Sequence, residues 1–226
     1  MSSSSLPSFD PRQIPIARVD KHLPAVPLAA LQPTALRERF AAPPVWTPEL
    51  LAEKSFSQRA SMRASVLIPI VMREQPTVLL TERTMHLSTH SGQIAFPGGK
   101  VDELDADAAA TALREAQEEV GLDPRFVQVL GVMPDYVTGS SFIITPVVAL
   151  VQPGFVLTPN PFEVADVFEV PLAFLMNPAH HHAHVFEWEG VKREWFSMPY
   201  QDALVQRFIW GATAGMLRNF YRLLSA

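Results

Sequence analysis

Residues 92–122 hold the most informative stretch of this chain, and they read GQIAFPGGKVDELDADAAATALREAQEEVGL. Three carboxylates within it, Glu115, Glu118 and Glu119, are spaced i, i+3 and i+4. At about 100° per residue, that spacing places all three on one face of a helix. Small and apolar side chains gather on an adjacent face, which predicts packing against a sheet. A glycine pair, Gly98-Gly99, lies just upstream.

The clustered acids carry two electrostatic penalties in an isolated helix. Like charges at i and i+4 repel one another, and anions near a helix C-terminus oppose the macrodipole. We therefore expect a divalent cation or a basic partner to offset them, with Arg114 orienting one carboxylate. Gly121 predicts the end of the helix, and Asp105 or Asp107 predicts its N-cap. A solvated acidic helix end is the alternative for the three acids considered alone.

This stretch resembles the signature of the Nudix hydrolases, G-x5-E-x7-R-E-U-x-E-E-x-G-U, in which U is a bulky apolar residue. The matching positions are Gly99, Arg114-Glu115, Glu118-Glu119 and Gly121-Leu122. Asp105 stands where the signature has Glu, with eight residues rather than seven before Arg114, and Ala116 is small for its position. The resemblance implies a Nudix α/β/α sandwich, in which a mixed β-sheet lies between helices.

The upstream sequence resembles one subgroup of that family, the coenzyme A pyrophosphatases. Their additional motif reads approximately L-L-T-x-R-[SA]-x3-R-x3-G-x3-F-P-G-G. This chain has Leu-Leu-Thr-Glu-Arg at residues 79–83, Gly92, and Phe-Pro-Gly-Gly at residues 96–99. Ser88 stands at the second arginine position, and Thr84 replaces the small residue. Segments 163–172 and 208–214 also resemble the subgroup, so the resemblance covers about residues 60–220.

The family resemblance implies roles for individual residues. Glu115, Glu119 and Glu118 are the expected metal ligands, and the Gly99 carbonyl is a further one. Glu118, Glu115 and Arg114 are the expected catalytic residues, and which carboxylate takes the proton is left open. Glu163 can add an acid from outside the helix, although an ordinary surface glutamate is an equal alternative. The hard oxygen donors indicate Mg²⁺ or Mn²⁺ as the cofactor.

Basic and hydrogen-bonding groups are expected to meet the phosphates of the substrate. Arg83 is the first candidate for substrate binding, followed by Lys100 and by Ser88, which can donate a hydrogen bond but no charge. His86 and His90 are weaker candidates, because ordinary loop histidines are more common than ligands.

Three functional hypotheses follow. The first is metal-dependent hydrolysis of coenzyme A or acyl-CoA to 4′-phosphopantetheine and adenosine 3′,5′-bisphosphate. The second keeps the chemistry and changes the substrate to another nucleoside diphosphate compound, such as ADP-ribose or a dinucleotide. The third is a Nudix module that binds a nucleotide without turnover, although the intact acidic cluster argues against it.

Composition excludes several other classes of protein. The 226 residues carry a formal net charge of −5, which argues against a broad nucleic-acid surface. The chain has no cysteine for disulfides or thiolate chemistry, and no apolar run of the length of a membrane span. We expect a cytoplasmic protein with a coenzyme A-like nucleotide substrate and neither nucleic acid nor membrane as partner. A homodimer is left open.

The chain is expected to divide near residue 60. Residues 1–60 form a Pro- and Ser-rich extension that either wraps the domain or stays mobile, with short helices near 34–40 and 47–54. Residues 61–226 form the Nudix domain. Strands are predicted at 64–72, 77–81, 126–133, 142–151 and 162–170, a short helix at 171–176, and a hairpin at 185–198.

The remaining predictions concern the end of the chain. An apolar stripe predicts a helix over residues 202–223. The histidines at 180–184 are interpreted as a solvated loop. Strands mixed with helices, without regular βαβ alternation, indicate the α+β class.

Overall fold

The computed structural model describes residues 10–53, 60–84, 92–188, 191–203 and 205–226, leaving aside the side chains of Trp188 and Val191. The helices are α1 (Pro33–Ala41), α2 (Ala108–Val120), α3 (Leu172–Leu175) and α4 (Gly211–Leu224). The strands are β1 (Ile16–Val19), β2 (Met62–Val71), β3 (Thr77–Arg83), β4 (Ile94–Ala95), β5 (Gly98–Lys100), β6 (Val127–Val132), β7 (Tyr136–Val137), β8 (Phe142–Val151), β9 (Val164–Pro171), β10 (His182–Trp188), β11 (Val191–Asp202) and β12 (Val205–Trp210). Short 3₁₀ turns occur at Pro11–Gln13, Leu28–Leu31, Pro124–Phe126 and Pro178–His180.

The larger sheet is mixed, and it contains the strands nearest to the acidic helix. Its main path runs β4-β3-β2-β8-β6, while β5 pairs with β2, β7 with β8 and β9 with β3. Strands β2 and β8 are parallel from Met62 opposite Phe142 to Val71 opposite Val151. The other pairings are antiparallel. The strands predicted at 64–72, 77–81, 126–133 and 142–151 are confirmed as β2, β3, β6 and β8.

Side-chain alternation along β2 gives the sheet two buried faces. Ile68 and Ile70 belong to the core that contains Phe220 of α4. Leu67 and Val71 belong to a second core, which contains the small and apolar face of α2. Successive side chains of a strand point to opposite faces, so the two helices cover the two sides of one sheet. The α+β Nudix fold, with a mixed sheet between helices, is confirmed.

The second sheet is antiparallel, in the order β1-β10-β11-β12, and it corrects the prediction for the last helix. Residues 205–210 form a strand, and the helix begins only at Gly211. Arg207 and Ile209 are buried while their neighbours are more exposed, which is the two-residue period of a strand paired with β11. Gly211 has φ +62°, a conformation that favours glycine, and it marks the change of direction.

The described part of the N-terminal extension, residues 10–53, is called the strap below, and it packs on the domain. Leu31 and Leu36 lie in the same core as α4, and the Tyr221 hydroxyl donates to the Pro24 carbonyl at 2.9 Å. The extension was expected either to wrap the domain or to stay mobile, and the strap wraps the domain. The division of the chain at residue 60 stays a prediction.

One of the two helices predicted in the extension is wrong. The helix near 34–40 is confirmed as α1. Residues 47–53 contain no helix; Ala52 instead forms an isolated bridge with Val137, and residue 54 lies outside the described residues. The Asn219 amide supplies the physical reason, because its oxygen accepts from the Glu49 and Leu50 N–H groups at 2.9 and 3.0 Å. These donors therefore bond to α4 and not to carbonyls of a helical turn in the strap.

The histidine segment is not a solvated loop, and that prediction is wrong. The segment ends in β10, which begins at His182, and both His181 and His184 are buried. The ring of His181 bonds the Leu175 carbonyl through Nε2 at 2.7 Å, and that of His184 bonds the Ser197 hydroxyl at 2.8 Å. Imidazoles with partners can be buried as neutral groups.

Within the described residues, no helix is long and apolar enough to cross a membrane.

Candidate active site

The acidic helix α2 is fixed at both ends by local hydrogen bonds. Asp107 is the N-cap, and its carboxylate accepts from the Ala110 N–H at 2.8 Å. Gly121 ends the helix with φ +70°, as predicted from the sequence. The face carrying Ala112 and Ala116 is buried against the sheet. The carboxylates therefore leave the helix beside its buried face, toward the glycine turn.

Arg114 holds the acids and the preceding loop together. Its guanidinium donates to both oxygens of Asp105 at 3.0 and 2.8 Å and to the Lys100 carbonyl at 3.0 Å. It also donates to Glu115 at 2.9 Å and to Glu118 at 3.1 Å. Hydrogen bonds from Arg114 hold the pKa of Asp105 well below its usual range, and those acceptors raise the pKa of Arg114. Asp105 thus anchors the arginine, while Asp107 alone is the helix cap.

Glu119 is the most deeply buried of the three acids, with 4% of its surface exposed. Its carboxylate accepts from the Gly98 N–H at 3.1 Å and lies 3.6 Å from the Arg83 guanidinium. Burial raises the pKa of Glu119 to about 7, against the opposing effects of Gly98 and Arg83. Negative charge on Glu163 and Glu115 raises this pKa further.

Gly99 lies directly against Glu115. A Cβ atom at position 99 would come within 2.4 Å of the Glu115 carboxylate, so only glycine permits this approach. The approach brings the main chain of β5 next to a carboxylate, as a shared ligand site requires. The pKa of Glu115 is raised, chiefly by burial, although Arg114 opposes the shift.

Two further acids, Glu118 and Glu163, lie near Glu115 and Glu119. Glu118 is exposed over 60% of its side chain and is held by Arg114. Glu163 comes from the start of the β9 region, where the Asn160 amide donates to it at 3.1 Å. The backbone N–H of Asn160 also donates to the Glu119 carbonyl at 2.8 Å. Asn160 therefore connects the acid outside the helix to the end of α2, a role that the sequence pattern did not indicate.

The donor set fits a hard divalent cation. The candidate groups are carboxylate oxygens and the predicted Gly99 carbonyl, with no imidazole or thiolate beside them among the described residues, which suits Mg²⁺ or Mn²⁺. The raised pKa values of Glu115 and Glu119 show that the fold disfavours their ionised forms, and a bound cation would reverse that preference. In the described parts of the chain no three acidic or imidazole groups already form a ligand cluster, and Arg114 engages Glu115 and Glu118.

Most of the predicted site residues come together at this place. Glu115, Glu118, Glu119, Arg114, Gly99 and Arg83 form one cluster through the contacts given above. Lys100 contributes its carbonyl to Arg114, while the residue itself is exposed. The predicted contributions of Ser88, His86 and His90 lie outside the described residues.

A family model and several known proteins resemble this chain. A family model described as NUDIX domain matches residues 61–198, more than half of the chain. A protein of Escherichia coli strain K12 described as "Uncharacterized Nudix hydrolase NudL" is 45% identical over 158 residues, covering 70% of this chain and 80% of that protein. Its counterpart from Shigella boydii serotype 18 is 44% identical with the same coverage. A solved MutT/nudix family protein from Enterococcus faecalis has 13% identity and a TM-score of 0.45, covering 74% of this chain and 64% of its own.

Proposed function

The chain belongs to the Nudix hydrolases, pyrophosphohydrolases of phosphorus-containing anhydrides, and from that premise we propose that it hydrolyses coenzyme A or acyl-CoA. The products are 4′-phosphopantetheine and adenosine 3′,5′-bisphosphate. One observation carries the choice of substrate: the arginine of the coenzyme A motif, Arg83, lies 3.6 Å from the Glu119 carboxylate. Among the described residues, its buried Nε has no hydrogen-bond partner. With 27% of its side chain exposed, Arg83 can also present its guanidinium to a phosphate oxygen beside the acidic cluster.

The proposed roles follow from burial and contacts. Glu115 and Glu119 are metal ligands, and the Gly99 carbonyl is a further ligand. A bound Mg²⁺ or Mn²⁺ would supply charge neutralisation at the diphosphate and would lower the pKa of a coordinated water. Arg114 fixes Glu115 and Glu118 in position. Glu118, the exposed acid of the three, is a third ligand or the group that orients the attacking water, and Glu163 is the alternative acid for the second task.

Substrate binding is assigned to the basic side of the cluster. Arg83 donates to the diphosphate or to the adenosine 3′-phosphate. Lys100, which is exposed at the end of β5, adds a second positive charge at the entrance. Ser88 replaces the second arginine of the motif and supplies a hydrogen bond in its place.

One assay tests the proposal directly. Purified protein is incubated with coenzyme A, acetyl-CoA, ADP-ribose and a diadenosine polyphosphate, each with Mg²⁺ or Mn²⁺, and the products are identified by mass. We expect 4′-phosphopantetheine and adenosine 3′,5′-bisphosphate from the first substrate, with no product in EDTA. Turnover of ADP-ribose or the dinucleotide without turnover of coenzyme A overturns the substrate assignment.

Ser88 favours a second candidate within the same family. A serine in place of the motif arginine removes a charge that a 3′-phosphate would use, and another nucleoside diphosphate compound then becomes the substrate. Under this alternative, Ser88→Arg creates coenzyme A hydrolysis that the parent protein lacks. Under the first proposal the parent already hydrolyses coenzyme A, and the substitution lowers KM.

A further inference from the structure

A second concavity lies away from the acidic cluster, between the strap and the second sheet. It has a volume of about 290 Å³ and is called the strap cleft. Its lining comes from the strap, from β11 and from the β12–α4 junction: Leu50, Ala52, Glu53, Lys192, Arg193, Glu194, Trp195, Trp210 and Gly211. Sites for whole drug-sized ligands occupy roughly 300–1,000 Å³. A cleft of this size therefore suits one end of a nucleoside diphosphate compound rather than the whole molecule.

Most of the strap cleft is built from parts of the chain outside the matched family region. Residues 50–53 precede that region and residues 210–211 follow it, whereas all the acids of the candidate active site lie within residues 61–198. The catalytic helix thus belongs to the shared domain, and the cleft joins segments outside that domain to residues 192–195 of β11 within it. Added segments are a common means of selecting substrates on a shared scaffold.

The charges that line the cleft cancel. Lys192 and Arg193 are opposed by Glu53 and Glu194, and Lys192 is already paired with Glu194. Both oxygens of Glu53 have donors, the Tyr136 hydroxyl at 3.1 Å and the Gly139 N–H at 3.0 Å. The cleft therefore offers no net charge for a phosphate. It suits a neutral group.

The remaining lining is suited to apolar groups. Leu50, Ala52 and the indoles of Trp195 and Trp210 provide carbon surface, and the Trp195 ring is stacked on His184 with centroids 5.5 Å apart. Beside Gly211 an added Cβ would meet no atom within 4 Å, so space is open at that end. Transfer of apolar groups from water to such a surface is favourable.

Two structural routes give the separation between the cleft and the active site. Glu53 contacts Tyr136, which begins the cross-strand row Tyr136, Ile144, Ala64 and Lys100. Three strand spacings along this row amount to about 14 Å. On the other side, Thr213 donates to the Ile94 carbonyl, and the four residues from there to Gly98 span about 13 Å when extended. Both routes end at β5, whose glycines contact Glu119 and Glu115, so the cleft lies about one extended arm from the strand that meets the carboxylates.

We propose that the strap cleft binds the acyl end of the pantetheine arm of an acyl-CoA substrate, with the diphosphate at the acidic cluster. The proposal rests on the coenzyme A function given above and adds the part of the substrate that the strap selects. A pantetheine arm is neutral, extended and ends in a thiol or thioester. Those properties match the charge, distance and apolar lining of the cleft.

Filling the cleft tests the proposal. Ala52 is exposed and pairs only through its main chain, so Ala52→Phe places a ring in the cleft without disturbing the core. We expect kcat/KM for octanoyl-CoA to fall about tenfold, the loss expected when about two methylene groups remain in water. The value for free coenzyme A should change by less than twofold. Ala52→Leu should give an intermediate loss, and circular dichroism checks that each variant is folded.

Val45→Phe is the matched control, because Val45 lies in the same strap, is fully exposed at 102% and is outside the cleft. It should leave both substrates unchanged. Equal losses for octanoyl-CoA and free coenzyme A in Ala52→Phe, or no loss for either, overturn the proposal.

A binding measurement separates this inference from the proposed function. S-Octanoyl-4′-phosphopantetheine lacks the diphosphate, and its binding in EDTA is followed by tryptophan fluorescence. We expect it to quench emission in the parent protein and to bind at least fivefold more weakly to Ala52→Phe. Absence of coenzyme A hydrolysis contradicts the proposed function. Hydrolysis of acyl-CoA without any binding of this ligand contradicts the cleft assignment.

Discussion

Glu119 is a carboxylic acid that the fold closes almost completely to water. Burial raises its pKa to about 7, while the Gly98 N–H and Arg83 oppose the shift. Without a cation, ionisation of such a group costs free energy in the folded state. With a divalent cation beside it, the ionised form is favoured. In the proposed metal site, Glu119 would therefore couple the binding of a cation to the release of a proton near neutral pH.

Glu119→Gln should separate catalysis from folding. The amide keeps an oxygen for the Gly98 N–H but is a poor ligand for a hard cation, so we expect turnover with Mg²⁺ or Mn²⁺ to fall at least about a hundredfold. Thermal unfolding in EDTA should be unchanged or shifted upward, because a group that is costly to ionise has been removed. Initial rates and melting curves give the two results.

Glu103→Gln is the control for that substitution, since Glu103 is an exposed acid in the loop before α2. Its activity should match the parent protein. Near-normal turnover in Glu119→Gln would remove Glu119 from the list of metal ligands.

At the scale of one element, α2 was largely predictable from the sequence. Its face and its Gly121 end are local features that local spacing is enough to predict, whereas spacing left the cap open between Asp105 and Asp107. The contacts of Arg114 with Asp105 and the Lys100 carbonyl depend on how the intervening loop folds back. A contact that depends on such a tertiary path leaves no periodic signal, which is why the role of Asp105 was not predicted.

The end of the chain shows the opposite case. Val205 and Ile209 continue the helical stripe of α4 toward the N-terminus, so spacing alone extends the predicted helix by two turns. The strand forms instead because β11 offers a complete antiparallel partner. The local spacing is compatible with a helix and with a strand. Pairing with β11, which lies elsewhere in the fold, decides between them.

Arg114→Lys should impair the site although the charge is kept. A lysine ammonium cannot match the guanidinium fork that engages Asp105 and two glutamates at once, so Glu115 and Glu118 lose their common support. We expect kcat/KM to fall about ten- to a hundredfold, in the range seen for residues that orient ligands. Steady-state kinetics with coenzyme A measures the effect.

Arg125→Lys is the comparison, because Arg125 also engages one aspartate through two nitrogens and lies at the surface. It should retain full activity. Equal rates for Arg114→Lys and the parent would show that the fork does not position the acids.

At the scale of the whole molecule, one buried arginine joins the strap to the domain. Arg218 of α4 donates to Glu49 at 2.8 Å and to Asp20 at 2.8 Å. Its third contact, to Nδ1 of His181, is 3.2 Å. Since Nε2 of His181 faces the Leu175 carbonyl, these partners indicate a neutral ring with its proton on Nε2. The strap is thus held through a charge network that tolerates only one protonation state.

His181 should make stability depend on pH. Burial lowers its pKa to about 4, Arg218 and His180 lower it further, and the Leu175 carbonyl and Asp20 oppose the shift. The ordinary pKa of histidine is 6.5. Between about pH 4 and pH 6.5 the unfolded chain therefore binds a proton that the folded chain does not bind. The stabilisation is complete above pH 6.5 and is lost as the pH falls through 4, by about 3 kcal/mol.

Denaturant unfolding at pH 7.5, 6 and 5 measures this dependence. His181→Gln should flatten the curve over that interval, because the titrating group is gone. His22→Gln removes an exposed histidine of the strap and should leave the curve as it is. Parallel curves for the parent and His181→Gln would contradict the prediction.

A fragment of residues 61–226 tests the division of the chain at residue 60. Loss of the strap removes Leu31 and Leu36 from the core and leaves Arg218 without Asp20 and Glu49. An uncompensated buried charge costs about 3–5 kcal/mol. We therefore expect the fragment to lack the cooperative thermal unfolding and near-ultraviolet dichroism that we expect of the complete chain. A fragment that melts as sharply as the complete chain would establish an independent domain.

The amide of Asn219 has a consequence for how this protein can change. It contacts the strap only through main-chain atoms, accepting from the N–H groups of Glu49 and Leu50 and donating to the Leu50 carbonyl. These hydrogen bonds do not depend on the side chain at position 50, which packs against the core and can be replaced by another apolar group of similar size. Because the same side chain lines the strap cleft, the proposed acyl site would change its substrate preference through apolar substitutions there while the hydrolytic chemistry stays fixed. A saturation library at this one position would sample that drift.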